Sequence, residues 1–121
     1  MNLEVIQVHA EFAVSVGKFD SFKAVGQEMI DTVGGKEPDT LSYEWYFNGD
    51  NSKCYTMECY RDAAALSTHL SDVNQFIHKL LDVSKITKLD VFGKLTPELE
   101  KRYVALGAQN FRYWNGVTRK N

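Results

Sequence analysis

Two cysteines, two prolines and no long apolar run set the first limits on this chain of 121 residues. Cys54 and Cys59 stand five apart in what reads as one strand, so their side chains point to opposite faces. A disulfide between them would need that strand broken. Neither has a CxxC partner or a metal-ligand neighbour, so both read as reduced packing thiols, and the expected setting is the cytoplasm. No apolar stretch approaches the ~20 residues of a bilayer span, and Glu4, His9 and Glu11 interrupt the apolar positions from Met1 to Phe12, so no export signal is expected there. The formal charge of −2 is too near neutral to draw the chain to nucleic acid or an anionic membrane. Its basic residues are scattered, and Arg119-Lys120 reads as solvated tail. There is no glycine-rich phosphate loop, no Ser-His-Asp pattern and no zinc-ligand spacing. No metal site is therefore expected.

What is present is a globular composition, 44% hydrophobic and 25% charged, in a length that fits one domain. From Val5 to Val14 apolar and polar residues alternate, which predicts a half-buried strand. After Gly17, Phe22, Val25, Gly26, Met29, Ile30 and Val33 recur at helical spacing, with Asp20 or Ser21 as N-cap and Gly34-Gly35 as the stop. Leu41–Phe47 and Lys53–Tyr60 read as aromatic-rich strands joined by a hairpin loop at Asn48-Gly49-Asp50-Asn51. Asp62 caps a second helix, with a break expected at Ser71-Asp72, and Ile86–Phe92 reads as a fourth strand. Thr96-Pro97-Glu98 starts a third helix that Gly107 ends. Asn110–Trp114 is a short aromatic tail. The order is βαββαβ plus a C-terminal helix, which predicts an α+β fold of ferredoxin-like type with a four-stranded antiparallel sheet.

Combining strand phases gives two sheet faces. The more apolar set, taken as helix-facing, contains Ile6, Val8, Ala10 and Phe12; Tyr43, Trp45 and Phe47; Tyr55, Met57 and Cys59; and Leu89 and Val91. The other contains His9, Glu11, Glu44, Tyr46, Thr56, Glu58, Tyr60, Lys88, Asp90 and Phe92. That face has too many carboxylates for a dry core and too many aromatics for a surface facing only water. A wet subunit interface satisfies both; a solvated face partly covered by the C-terminal helix is the alternative. His9, Glu11, Glu44 and Glu58 read as part of that salt-bridged surface rather than as a metal cluster.

The runs Glu37-Pro38-Asp39-Thr40-Leu41-Ser42-Tyr43-Glu44 and Glu58-Cys59-Tyr60-Arg61-Asp62, continuing to Ala65 and His69, resemble the antibiotic biosynthesis monooxygenase (ABM) domain family. The resemblance extends from the first strand to about Phe92. It implies a domain over residues 1–95, with residues 96–121 as a helix and tail packing on the same domain or on a partner subunit. It also implies a homodimer, two sheets pairing as a dimeric α/β barrel. Several such proteins are cofactor-independent oxygenases of quinols or phenols, and others degrade haem. Haem degradation in related proteins uses an Asn on the first strand, where this chain offers Gln7, so haem is not expected. Asp39 stands where the family usually has Gly, a difference confined to a turn.

The candidate catalytic residue is His69, which sits among Ala65, Leu66, Leu70 and Val73 and so faces the sheet. A partly buried neutral imidazole can orient a phenolic substrate or take its proton. The alternative is a core histidine bonded to a backbone carbonyl. Tyr43, Trp45, Tyr55, Met57, Leu66 and Phe76 are the candidate substrate-binding residues, lining an apolar pocket for a small aromatic molecule. His78 lies off the apolar stripe and is expected in solvent. The expected function is a cofactor-independent monooxygenase of a small aromatic or quinol-like substrate in a helix–sheet pocket; the alternative is a non-catalytic dimeric module that binds a small molecule or serves a stress-related role.

Overall fold

The computed structural model describes residues 4–119. The expectations touching Met1 and Lys120 lie outside the described residues. The elements follow in the order β1 (Ile6–Val14), α1 (Phe19–Lys36), β2 (Thr40–Phe47), β3 (Lys53–Tyr60), α2 (Ala63–Asp82), β4 (Ser84–Phe92), α3 (Pro97–Ala105) and β5 (Gln109–Phe111). The α+β, ferredoxin-like reading holds. The sheet, however, has five strands in the order β2-β3-β1-β4-β5, not four, and it is mixed because β5 runs parallel to β4. The α3 crossover returns the chain to the same end of the sheet, which makes parallel pairing the available one. Gly107, at a φ of 80°, turns the chain out of α3. The Asn110 amide then donates to the carbonyls of Val91 and Gly93, and the Phe111 ring stacks on Phe92 at 5.2 Å. Three residues are too few to show a strand period.

The helix starts are set by local chemistry. Asp62 accepts a hydrogen bond from the Ala65 N–H at 2.9 Å, and Thr96 accepts one from the Leu99 N–H at 3.3 Å, with Pro97 next to it. The helices differ from expectation in three ways, and β2 and β4 begin slightly earlier than expected, at Thr40 and Ser84. The first helix begins at Phe19, ahead of Asp20 and Ser21, with no side-chain cap; the Phe19 ring packs edge-on to Phe47 at 4.9 Å. It also continues through Gly34-Gly35 to Lys36, because the Glu37 N–H still bonds to the Val33 carbonyl. No break occurs at Ser71-Asp72: Leu66, His69, Val73, Phe76 and Leu80 keep one buried stripe, and the helix is continuous.

The largest correction concerns β3. Across the hairpin Phe47 pairs with Cys54, Trp45 with Thr56 and Tyr43 with Glu58. Partners in a ladder share a face, and these partners differ in parity, so the even-numbered residues of β3 face the helices. Cys54, Thr56 and Tyr60 are buried there, and Glu58 nearly so, all paired across β1 with Phe12, Ala10, Ile6 and Val8. Tyr55, Met57 and Cys59, expected inside, lie on the opposite face, where the Met57 side chain is exposed. Hydropathy alone favours the Tyr-Met-Cys set. The buried hydrogen bonds that Thr56, Glu58 and Tyr60 make to one another reverse that preference. Residues Tyr43, Trp45, Phe47, Leu89 and Val91 take the faces expected of them. The two cysteines are free and lie on opposite faces.

All three helices cover the face that carries Val8 and Ala10. Phe22, Met29 and Val33 bury from α1, and Leu99 and Tyr103 from α3. Among the described residues no helix is long and apolar enough to cross a membrane.

One close approach fixes the site. The Trp45 indole lies against α1 at Gly26, where a Cβ would come 2.8 Å from Trp45 Cζ3. Alanine at Gly26 therefore gains ~1 kcal/mol of helix propensity but overpacks a ring at a cost of about 1–3 kcal/mol. Gly34 on the same helix meets nothing within 4 Å. Urea unfolding is expected to show Gly26→Ala destabilised with altered Trp45 fluorescence, and Gly34→Ala stabilised by about 0.5–1 kcal/mol.

Candidate active site

Between the sheet and the helices lies a cavity of about 90 Å³. Its walls are largely apolar, from β1, α1, α2 and β4, and its polar side chains are Tyr43, Trp45, Thr56, Glu58, His69 and Tyr103. Of the candidate residues, His69, Tyr43 and Trp45 line it. Tyr55 and Met57 do not, because they sit on the other face of the sheet. Leu66 and Phe76 are buried in the core without reaching the cavity; Leu70, Val73 and Ile77 hold the α2 wall instead. His78 is exposed.

His69 is 3% exposed and is not bonded to a backbone carbonyl. Its Nδ1 lies 3.0 Å from Glu37 Oε1, and its Nε2 lies 3.7 Å from Glu58 Oε1. Both carboxylates are held by other groups. The Thr40 hydroxyl donates to Glu37 Oε1 at 2.8 Å, and the Thr56 hydroxyl donates to Glu58 Oε2 at 2.8 Å. The Tyr60 hydroxyl donates to Glu58 Oε1. The rings of Tyr43 and Tyr60 flank the imidazole at 4.9 and 5.0 Å.

Local structure explains each placement. Glu37 ends α1, where the following Pro38 cannot continue a helix. Asp62 starts α2 so that His69, two turns on, faces the sheet. Hairpin register puts Glu58 opposite Tyr43.

Burial lowers the His69 pKa from its ordinary value, against the pull of Glu58 and Asp72, so the ring is neutral near pH 7. Its Nδ1 faces Glu37 Oε1, which also accepts from the Thr40 hydroxyl; in the tautomer that donates from Nδ1 to this oxygen, Nε2 is the base. Burial likewise pushes the Glu37 carboxyl up to about 7, assisted by the neighbouring Asp72 carboxyl and opposed by the Thr40 hydroxyl. Burial raises the phenols of Tyr43, Tyr60 and Tyr103, with the charge of Glu58 adding to it. These three stay neutral.

The Trp45 indole N–H is buried without a hydrogen-bond partner, although it is near enough to the Tyr43 oxygen to favour that phenolate slightly. Among the described residues no group of three or more His, Cys, Asp or Glu is arranged to hold a metal ion. The arrangement instead suits proton transfer. A carboxyl holds one imidazole nitrogen, the other lies 3.7 Å from Glu58 Oε1, and the ring lines an apolar cavity.

The sequence pattern does not single out Glu37, Glu58, Thr56 or Tyr103 as site residues, and hydropathy alone places Glu58 on the outer face. The parity of the hairpin, with an even number of residues between ladder partners, is the signal that reassigns it.

The chain has the fold of the antibiotic biosynthesis monooxygenase proteins, as its motif resemblance implied. Over 96% of its length it superposes on 95% of MupZ from Pseudomonas fluorescens, with a TM-score of 0.85 and 23% identity. It also covers 95% of SnoaB from Streptomyces nogalater, a cofactor-independent oxygenase, at a TM-score of 0.64 and 14% identity over 77% of this chain. An antibiotic biosynthesis monooxygenase candidate from Caulobacter crescentus gives a TM-score of 0.66 at 17% identity, over 78% of this chain and 93% of that one. No family model and no curated protein matches the sequence.

The buried carboxyl makes stability depend on pH. Glu37 binds its proton more tightly folded, at about 7, than at the ordinary value of 4.5. Its contribution is full below 4.5 and is lost as the pH rises through 7. The urea midpoint of the wild type is expected to fall from pH 6 to pH 8, and that of Glu37→Gln to fall less.

Proposed function

We propose that this protein is a cofactor-independent monooxygenase of a small phenol or quinol, with His69 as the base. The observation that carries the reading is a buried, neutral imidazole on the cavity wall, with Nδ1 tied to Glu37 at 3.0 Å and Nε2 beyond hydrogen-bond distance of Glu58 at 3.7 Å. The substrate O–H bond breaks and the proton goes to Nε2. The electron-rich phenolate that results passes an electron to dioxygen, and the two radicals join to form a carbon–oxygen bond. Cleavage of the O–O bond, with loss of the ring C–H proton, leaves a quinone carbonyl and one water. Phenol and dioxygen thus balance quinone and water. The Trp45 N–H supplies a donor for a substrate oxygen, and the neutral tyrosines do not compete as anions. The fold likeness to a cofactor-independent oxygenase supports the reading at the level of class.

A second reading is a binding module without turnover, favoured by the cavity's size. A space of about 90 Å³ is well below the ~300–1,000 Å³ of common ligand sites. One ring needs α3 to yield, since Tyr103 and Leu106 form that wall. Oxygen uptake with a panel of quinols and naphthols separates the two. Turnover that falls 10²-fold or more in His69→Ala supports the base. Quenching of Trp45 by the same compounds without oxygen uptake supports the module.

The outer sheet face supports a homodimer paired face to face. Tyr46 and Met57 are half-exposed there, and His9 packs against Tyr55 and Phe92 at 6.0 and 5.0 Å. The free thiols of Cys54 and Cys59, raised in pKa by burial, suit a reducing cytoplasm. Sedimentation is expected to show a dimer for the wild type and a monomer for Met57→Lys; an unchanged dimer in the variant would remove this face from the interface.

A further inference from the structure

Taking His69 as the base of the proposed reaction, we infer that Asp72 is a positioning residue: it shares one proton with Glu37, and the pair relays the substrate's proton away from the cavity. Glu37 Oε1 is fully engaged, accepting from the Thr40 hydroxyl and facing His69 Nδ1. Its Oε2 is buried with no donor in reach, in a side chain only 2% exposed. The Asp72 carboxyl lies three residues beyond His69 on α2, on the same side of the helix, and near enough to Glu37 and His69 to act on the proton affinity of both. Two carboxylates in contact do not both ionise, and a single proton between them gives Oε2 its missing partner.

Asp72 is half-buried, so the far end of the pair meets solvent, whereas Glu37 and His69 do not. Glu37 also walls a surface cleft of about 150 Å³ together with Thr40 and Thr68.

The relay balances bond by bond. The substrate O–H breaks as Nε2–H forms, Nδ1–H breaks as Glu37 Oε1–H forms, and Glu37 Oε2–H breaks as an Asp72 O–H forms. No imidazolium accumulates beside the substrate anion. Reversal returns the proton to the hydroxide released when the O–O bond breaks. The groups facing Glu37 are His69 and Asp72 from α2 and Thr40 and Tyr43 from β2, while Glu58 from β3 lies on the far side of His69, 3.7 Å from its Nε2. Lys36, Asp39 and Asp62 lie along the outer cleft.

The test is side-chain ¹³C NMR titration of Glu37 in the full chain, wild type against Asp72→Asn, beside the pH profile of kcat/KM for oxygen uptake. Wild-type Glu37 is expected to titrate near 7. In Asp72→Asn its proton affinity should drop about tenfold or more, as removal of a like charge and acceptor requires. The alkaline limb of the kcat/KM profile, where Glu37 loses the proton the relay passes on, should move to lower pH by the same amount, and Asp72→Glu should restore both. An unchanged Glu37 midpoint in Asp72→Asn overturns the inference. So does wild-type Glu37 titrating in the ordinary carboxylate range, which decides the matter even if the variant fails to fold. A midpoint that moves while no quinol supports oxygen uptake upholds the carboxyl pair and removes the monooxygenase reading.

Discussion

The contact between Glu37 and His69 is the constraint on which the rest of the site depends. It joins the end of α1 to the middle of α2 across 32 residues of sequence, at 3.0 Å and out of water. A buried carboxyl and a buried imidazole are each costly alone, and breaking such a pair leaves one of them without a partner. That penalty fixes the imidazole's orientation and tautomer more firmly than apolar packing would. The two tyrosine rings, at about 5 Å on either side, then have a defined surface to pack on. Glu58 extends the arrangement: it is close enough to polarise His69 and too far, at 3.7 Å, to hydrogen-bond with it. Nε2 is thereby left for something else.

Much of the architecture was legible in the sequence because it rests on periodicity and on caps. Asp62 and Thr96 announced two helix starts, and the alternation from Val5 to Val14 announced the central strand. His69 could be placed toward the sheet from the spacing of its apolar neighbours, and Tyr43 and Trp45 from theirs. The phase of β3 could not be read in that way. Its two faces, Cys-Thr-Glu-Tyr and Tyr-Met-Cys, differ little in hydropathy, and the less apolar one is inside. What decides between them is mutual satisfaction of Thr56, Glu58 and Tyr60, a three-dimensional property that no single-strand pattern carries. Tyr55 and Met57 were lost from the site, and Glu58 and Thr56 gained, through that one inversion.

The glycines illustrate the same division. Gly107 ends α3 at positive φ, as its position after the apolar stripe implied. Gly34-Gly35 have the same composition signal but stay helical, since Glu37 must be carried far enough along α1 to meet His69. Gly26 matters for its missing side chain rather than for its backbone, because Trp45 occupies that space.

The parallel attachment of β5 bears on how firmly the cavity is closed. Helix α3, which walls the cavity with Tyr103 and Leu106, is clasped to the sheet at its far end by a strand of three residues and by the Asn110 amide. Each such hydrogen bond is worth about 1 kcal/mol net. Peeling the clasp therefore costs only a few kcal/mol, less than undoing any other strand of the sheet. The shortest member of the sheet is thus the one whose local opening most cheaply loosens the wall that Tyr103 and Leu106 build.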